Sequence, residues 1–217
     1  MRLRQLYNNP QQSKDKNMNL ILQWIIENKI EVIAATLSLI YLYFSINQKI
    51  LLWLFGILSS LLYIVVYFQT TFYAYMSLQV YYVLISIYGW IYWRKSDSTT
   101  TGLPVSKASF RLLLTCIAAS LAVWLILYQI LQLTDTDVAS GDAFTTAIGA
   151  VATWMLARKI LEHWLFWIVA DSVSLMLYLH KEMYATAVLF LIYFIAAIVG
   201  YIKWKKGTSG NPKKTLT

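Results

Sequence analysis

In the stretch WLFWIVADSVSLMLYL, residues 164 to 179, a carboxylate, Asp171, stands at the centre of an otherwise apolar run. A charged side chain at bilayer depth costs about 2.5 to 3.5 kcal/mol on insertion scales, so it normally faces protein or water and serves a function. Trp164, Trp167, Asp171, Ser174 and Tyr178 recur at i, i+3, i+7, i+10 and i+14, one stripe of a helix with 3.6 residues per turn. Gln79, Tyr82, Ser86, Trp90 and Trp93 repeat that rhythm in a second apolar run. Two such stripes set face to face enclose a cavity walled by indoles, phenols, hydroxyls and one anion. That chemistry favours a flat cation, held by roughly 0.5 to 2 kcal/mol of cation–π attraction per ring beside the carboxylate. The candidate substrate residues are therefore Asp171, Trp167, Trp164, Gln79, Trp90, Trp93, Tyr82, Ser86 and Ser174. The expected partner is a small cationic aromatic molecule.

Each of these residues has a plainer use. Asp171 also suits a hydrogen bond between helices or a protonated structural acid, while a proton or ion relay is disfavoured because no second acid lies mid-span. Trp93, Trp204 and Trp164 sit near segment ends, where indoles commonly anchor at the membrane surface. Trp90 and Trp167 lie one turn deeper. Gly89 and Gly200 read as points of close helix packing. Arg158 and Glu162, spaced i and i+4, read as an ion pair at a helix end. His163 and His180 are too scattered for a metal site. The single cysteine, Cys116, permits neither an intrachain disulfide nor a cysteine metal cluster. No metal and no cofactor are expected.

The elements that must position these side chains are membrane helices. The 217 residues are 59% hydrophobic and only 13% charged, with a mean hydropathy of +0.57, whereas soluble domains carry roughly 25% charge. Windows of about 20 apolar residues, the length of a helix crossing the hydrocarbon core, fall near 30–46, 50–68, 73–93, 110–131, 142–157, 164–180 and 184–204. The spacing predicts an all-α integral membrane protein with seven transmembrane helices. Residues 1–29 form a polar tail without a cleavable signal, with a short interfacial helix over 20–26, and residues 207–217 form a disordered tail.

The net charge of +8 follows the membrane surface rather than nucleic acid. With the N-terminus outside, the inner segments carry Lys49, then Arg94, Lys95, Lys107 and Arg111, then Arg158 and Lys159, then the cluster from Lys203 to Lys214; the outer short loops carry only Lys181. The positive-inside rule then places the C-terminus in the cytoplasm. A basic N-terminal tail, with Arg2, Arg4, Lys14, Lys16 and Lys29, argues the other way.

Shifting the sequence by 111 positions lays residues 31–95 over 142–206 without a gap, with 14 identities in the 43 positions from Trp53 to Lys95. Each copy holds three helices, and the segment 110–131 between them reverses the chain once more, so the copies run parallel. The domain reading is a first three-helix repeat at 30–95, a linker with the fourth helix at 96–141, and a second repeat at 142–206. This 3+1+3 plan is an arrangement of transporters whose substrate lies near the midplane between repeats. A single asymmetric substrate needs positions at which the copies differ: Asp171 matches Ser60, Trp167 matches Gly56, Gln79 matches Phe190 and Trp90 matches Tyr201.

The segment YAYMSLQVYYVLISIYGWIYWRK resembles the LQV(F/Y)…IYGW..W segment of the PnuC-type (Pnu family) vitamin transporters, and ARKILEHWLFWIVADSVSLMLYLHKEMYATAVLF resembles their RK..E.W..W…N segment. The resemblance covers residues 31–206. It implies a fold distantly like the SWEET sugar carriers and facilitated vitamin uptake in the inner (plasma) membrane, with trapping by cytosolic phosphorylation. Gln79, Trp90 and Trp93 match the third-helix motif, and Trp164 and Trp167 the sixth-helix motif. Asp171 departs from the Asn usual in nicotinamide riboside members, and His163 from a common Asn. An acid in place of the amide favours thiamine, with nicotinamide riboside as the alternative and riboflavin carried by a further branch. A homo-oligomer is compatible with such a chain.

Other function classes fare worse. No P-loop is present for ATP hydrolysis. A retinal photoreceptor needs a mid-span lysine in the last helix, and Lys203 lies at its end. An intramembrane enzyme built on Asp171 lacks a second catalytic group, so the protein is read as not an enzyme.

Overall fold

The computed structural model describes Met18, Asn19, Gln23, Ile26 and residues 29–69, 73–97, 103–132, 139–208 and 215–216. Seven helices carry nearly all of these: α1 (Lys29–Ile46), α2 (Leu51–Gln69), α3 (Tyr73–Asp97), α4 (Phe110–Leu131), α5 (Ala139–Ala157), α6 (His163–His180) and α7 (Tyr184–Thr208). By length and composition Leu51–Gln69, Phe110–Ile130 and Thr186–Thr208 are long and apolar enough to cross a membrane. The others dilute their apolar runs with the polar groups of the cavity stripes or with charged ends. The interfacial helix expected over 20–26 lies mostly outside the described residues, although Gln23 and Ile26 are helical.

Helix ends are set by local chemistry. Ser109 caps α4, its side chain accepting from the Leu112 amide, which satisfies one of the first-turn donors. α1, α5 and α6 each end in a left-handed residue: Gln48 (φ 55°), Lys159 (φ 53°) and Glu182 (φ 58°). Around each the same two bonds close the helix, for example Gln48 N to Ser45 O at 3.1 Å and Lys49 N to Phe44 O at 2.9 Å. This is the Schellman arrangement, which normally uses glycine. Gln48 and Lys159 stand 111 positions apart, and the bonds at the second turn, Lys159 N to Leu156 O and Ile160 N to Met155 O, are shifted by the same number.

Neighbouring helices pack in two groups, α1 with α2 and α3, and α5 with α6 and α7; α3 then meets α5, and α7 meets α1. α4 packs along α5 and leaves an apolar groove of about 600 Å³ against α3 and α5, lined by residues such as Leu78, Val123, Leu127 and Trp154. Cys116 is buried on the α5 side of α4.

The densest packing lies at the basic ends of the helices. Trp53 meets Trp93 edge-on at 5.5 Å, and Trp164 meets Trp204 edge-on at 5.8 Å. A Cβ on Gly89 would fall 2.4 Å from the Trp53 ring, and one on Gly200 would fall 2.5 Å from the Trp164 ring, so only glycine admits either indole. Trp93 donates from Nε1 to the Ala157 carbonyl of α5 (3.0 Å), and Trp204 donates to the Ser45 carbonyl of α1 (3.1 Å). Each tryptophan thus caps a helix of the other group.

Two sequence expectations need correction here. Arg158 and Glu162 form no ion pair: left-handed Lys159 ends α5 between them, so the i, i+4 spacing does not lie on one helix. Arg158 instead reaches Tyr88 Oη (3.4 Å) and lies over the Tyr92 ring, while Glu162 accepts the Ala108 amide (2.8 Å). The tail expected to be disordered over 207–217 is structured in its described residues: α7 continues to Thr208, and Thr215–Leu216 pairs in parallel with Lys107–Ala108.

Candidate functional site

Asp171 is 4% exposed, on the face of α6 that carries buried Ala170 and Ser174. Among the described residues no hydrogen bond or ion pair engages its carboxylate. An unpaired buried carboxylate is costly, so the plain reading of Asp171 as a link between helices does not hold. The carboxylate lies within electrostatic reach of Tyr193 on α7.

Trp167 stands one turn from Asp171, toward the basic end. Its ring comes together with Tyr82 of α3 over Gly149 of α5: a Cβ there would lie 3.1 Å from Tyr82 Oη and 3.2 Å from the Trp167 ring. Glycine at 149 is what lets a phenol and an indole converge from two helices. Tyr82 also lies among Tyr41, Tyr67 and Tyr81, with Tyr81 donating to the Ala150 carbonyl at 2.7 Å. Gln79, half-buried, stands about 4.5 Å along the axis from Tyr82, on the same side as Asp171 relative to the Tyr82–Trp167 contact. Ser86, one turn the other way, is buried with its Oγ 3.1 Å from where a Gly56 Cβ would be.

Polar side chains also approach one another from α7, α1 and α2. Tyr193 of α7 lies near Ser38 of α1, and Ser38 Oγ lies 2.8 Å from Ser59 Oγ of α2. Tyr41 packs its ring at 3.2 Å from the Cβ position of Gly56. In the 111-residue register Tyr41, Gly56 and Ser86 match Ala152, Trp167 and Ala197. At one set of positions the ring, Tyr41, comes from the first helix of its group against Gly56; at the other the ring, Trp167, comes from the second helix and the matching positions are alanines. The site is asymmetric because bulk has been exchanged between matching positions.

Trp167 and Tyr82 meet at Gly149, and Asp171, Ser174, Gln79 and Ser86, within two turns of them on the same two helices, belong to that neighbourhood. Trp164 and Trp93 do not: both are buried in the tryptophan cluster, with Trp164 against His163 (4.5 Å) and Trp93 beneath Lys159 Nζ (4.4 Å). Nor are they surface anchors, because their rings are enclosed by protein. Trp90 lines a groove with Ile87, Ile91, Arg94 and Lys95, about 12 Å along the axis from Tyr82. The groove beside α4 contains none of the polar stripe, only its neighbour Tyr81; its apolar lining suits acyl chains, so it is not the candidate site. Sequence inspection passed over Tyr193, Ser38, Ser59 and Tyr41. The signal for Tyr193 was present, since it matches Tyr82 in the repeat register. Among the described residues no group of His, Cys, Asp or Glu is placed to hold a metal.

Comparison with known proteins matches residues 28–206 to the nicotinamide mononucleotide transporter family. The nicotinamide riboside transporter PnuC of Escherichia coli (strain K12) is 24% identical over 214 residues, covering 87% of this chain and 90% of the relative. The nicotinamide riboside transporter PnuC of Neisseria mucosa is 24% identical over 186 residues, covering 80% and 71%. A crystal structure of the vitamin B3 transporter PnuC has the same fold, with a TM-score of 0.70 at 23% identity, covering 88% of this chain and 87% of that one. With over four-fifths of its length inside the family match, the chain belongs to the nicotinamide mononucleotide transporter family.

Proposed function

We propose that this protein carries nicotinamide riboside across the inner membrane by facilitated diffusion, the cargo being trapped by phosphorylation in the cytosol. The observation that carries the reading is Asp171: a buried carboxylate with no hydrogen-bond or ion-pair partner among the described residues, one turn from an indole, is suited to a flat cation. A pyridinium ring supplies both the charge and the flat face. A phosphate ester is disfavoured, since lysine and arginine within the helices occur only toward the ends of α1, α3, α4 and α7, and α6, which carries Asp171, has none. The riboside therefore fits better than the mononucleotide for which the family is named.

The thiamine reading drawn from the Asn-to-Asp departure at 171 now stands second. The relatives are named for nicotinamide riboside, and a carboxylate serves any flat cation.

The architecture we infer is seven transmembrane helices as parallel 3+1+3 repeats, SWEET-like, N-terminus outside and C-terminus inside. The turns at Gln48 and Lys159, the Trp53–Gly89 and Trp164–Gly200 contacts, and the reciprocal capping by Trp93 and Trp204 support it. Transport then proceeds by rocking of one three-helix group against the other about Asp171, Trp167, Tyr82 and Gln79. The deciding experiment is uptake into proteoliposomes of labelled nicotinamide riboside, thiamine and riboflavin. Saturable, ATP-independent uptake of nicotinamide riboside is expected; preference for thiamine would reverse the order of the two readings.

A further inference from the structure

We propose that the groove along α4 is a site for an anionic phospholipid, one acyl chain lying against α3, α4 and α5 and the phosphate held by Arg111 and Arg158. The site is independent of which cargo the protein carries. The groove, about 600 Å³, is lined by Leu78 of α3, by Leu112, Ala119, Val123 and Leu127 of α4, and by Trp154 of α5. In a bilayer such a groove fills with hydrocarbon, because walls facing a void forfeit their dispersion contacts. Apolar walls take many kinds of chain; the headgroup is what the mouth selects.

Leu112 and Trp154 pack on the same buried cluster of Cys116, Met155 and Ile160, so both mark the basic end of the groove, and each stands beside an arginine. Arg111 precedes Leu112 in the first turn of α4 and is exposed. Arg158 follows Trp154 by one turn. Its guanidinium lies 5.9 Å from the Trp154 ring and 5.2 Å from the Tyr92 ring, and donates to Tyr88 Oη at 3.4 Å. These partners are aromatic and uncharged, and among the described residues no carboxylate pairs with either guanidinium. A guanidinium held flat by rings and left without a counter-ion matches the oxygens of a phosphodiester. Because α4 starts at this mouth, the positive end of its dipole adds to the attraction. The opposite mouth is different: α4 ends there without a basic residue, and α5 begins there with Asp142. An anionic headgroup is therefore favoured at one end only.

The test is native mass spectrometry of the full chain, delipidated in detergent and mixed with palmitoyl-oleoyl phosphatidylglycerol or the phosphatidylcholine with the same chains. Wild type should hold one phosphatidylglycerol about tenfold more tightly than phosphatidylcholine, the scale of one or two basic residues meeting an anionic lipid. Arg111→Gln with Arg158→Gln should bring that ratio to about one. Exposed Arg111→Gln alone should give an intermediate ratio, and it carries the test if the double variant does not fold. Ala119→Phe fills the groove and leaves both arginines in place, so it should weaken both lipids alike. Arg94→Gln removes a charge from the basic end of α3, outside the groove lining, and should keep the wild-type ratio. No headgroup preference in wild type, an equal loss in Arg94→Gln, or binding untouched by Ala119→Phe overturns the proposal. So does a wild-type chain that takes up a second copy in place of lipid and loses it in Ala119→Phe, which makes the groove an interface between copies.

Discussion

Replacing Asp171 by Asn keeps the shape of the side chain and removes its charge, so the substitution isolates electrostatics from packing. Affinity for nicotinamide riboside should drop about tenfold or more, corresponding to about 1.4 kcal/mol, whereas thermal stability in detergent should hold or rise, since an unpaired buried charge is removed. Unchanged affinity would show that the carboxylate faces no cation. Trp167→Ala should weaken binding roughly 2- to 30-fold through loss of the cation–π face, measured by the same titration. At this scale Asp171 was legible because a lone acid in an apolar run has few plain explanations. The tyrosines were not. A phenol is common in such runs, and whether its hydroxyl reaches Ser38, Gly149 or lipid depends on helix rotation, which periodicity leaves undetermined.

At the scale of elements, Gly89 and Gly200 separate packing from helix propensity. Alanine ordinarily stabilises a helix relative to glycine, yet at these positions its Cβ would enter the Trp53 or Trp164 ring at 2.4 to 2.6 Å. Gly89→Ala and Gly200→Ala should each destabilise by about 1 to 3 kcal/mol, seen as a lowered unfolding temperature. Gly207→Ala, where the nearest atom is Gln48 Nε2 at 4.0 Å, should be neutral or slightly stabilising and serves as the control. The helices themselves were legible from their apolar runs, and 110–131 coincides with α4. Ends were less so: α3 and α7 continue through Arg94–Asp97 and Lys203–Thr208 because backbone bonding does not stop where hydrophobicity does. The pairing of Arg158 with Glu162 failed for a related reason. One left-handed residue, invisible in a charge pattern, rotates everything after it.

For the molecule as a whole, the inferred orientation can be checked with the lone cysteine removed as Cys116→Ser. A cysteine at Lys181 should react with a membrane-impermeant maleimide in intact cells or spheroplasts, and one at Lys205 only after permeabilisation; the reverse pattern would invert the topology. The glycines and tryptophans that pack within each group, Gly89 with Trp53 and Gly200 with Trp164, were legible in the chain as matching positions of the 111-residue register. What those residues do across the boundary was not, because Ser45 and Ala157 contribute only backbone carbonyls, and a carbonyl carries no sequence signature. Those two bonds have a mechanical consequence. Each ties a tryptophan of one group to the first helix of the other, and they run in opposite senses across the same seam. In the proposed rocking, opening the basic end would part both, so that end resembles a door with two bolts.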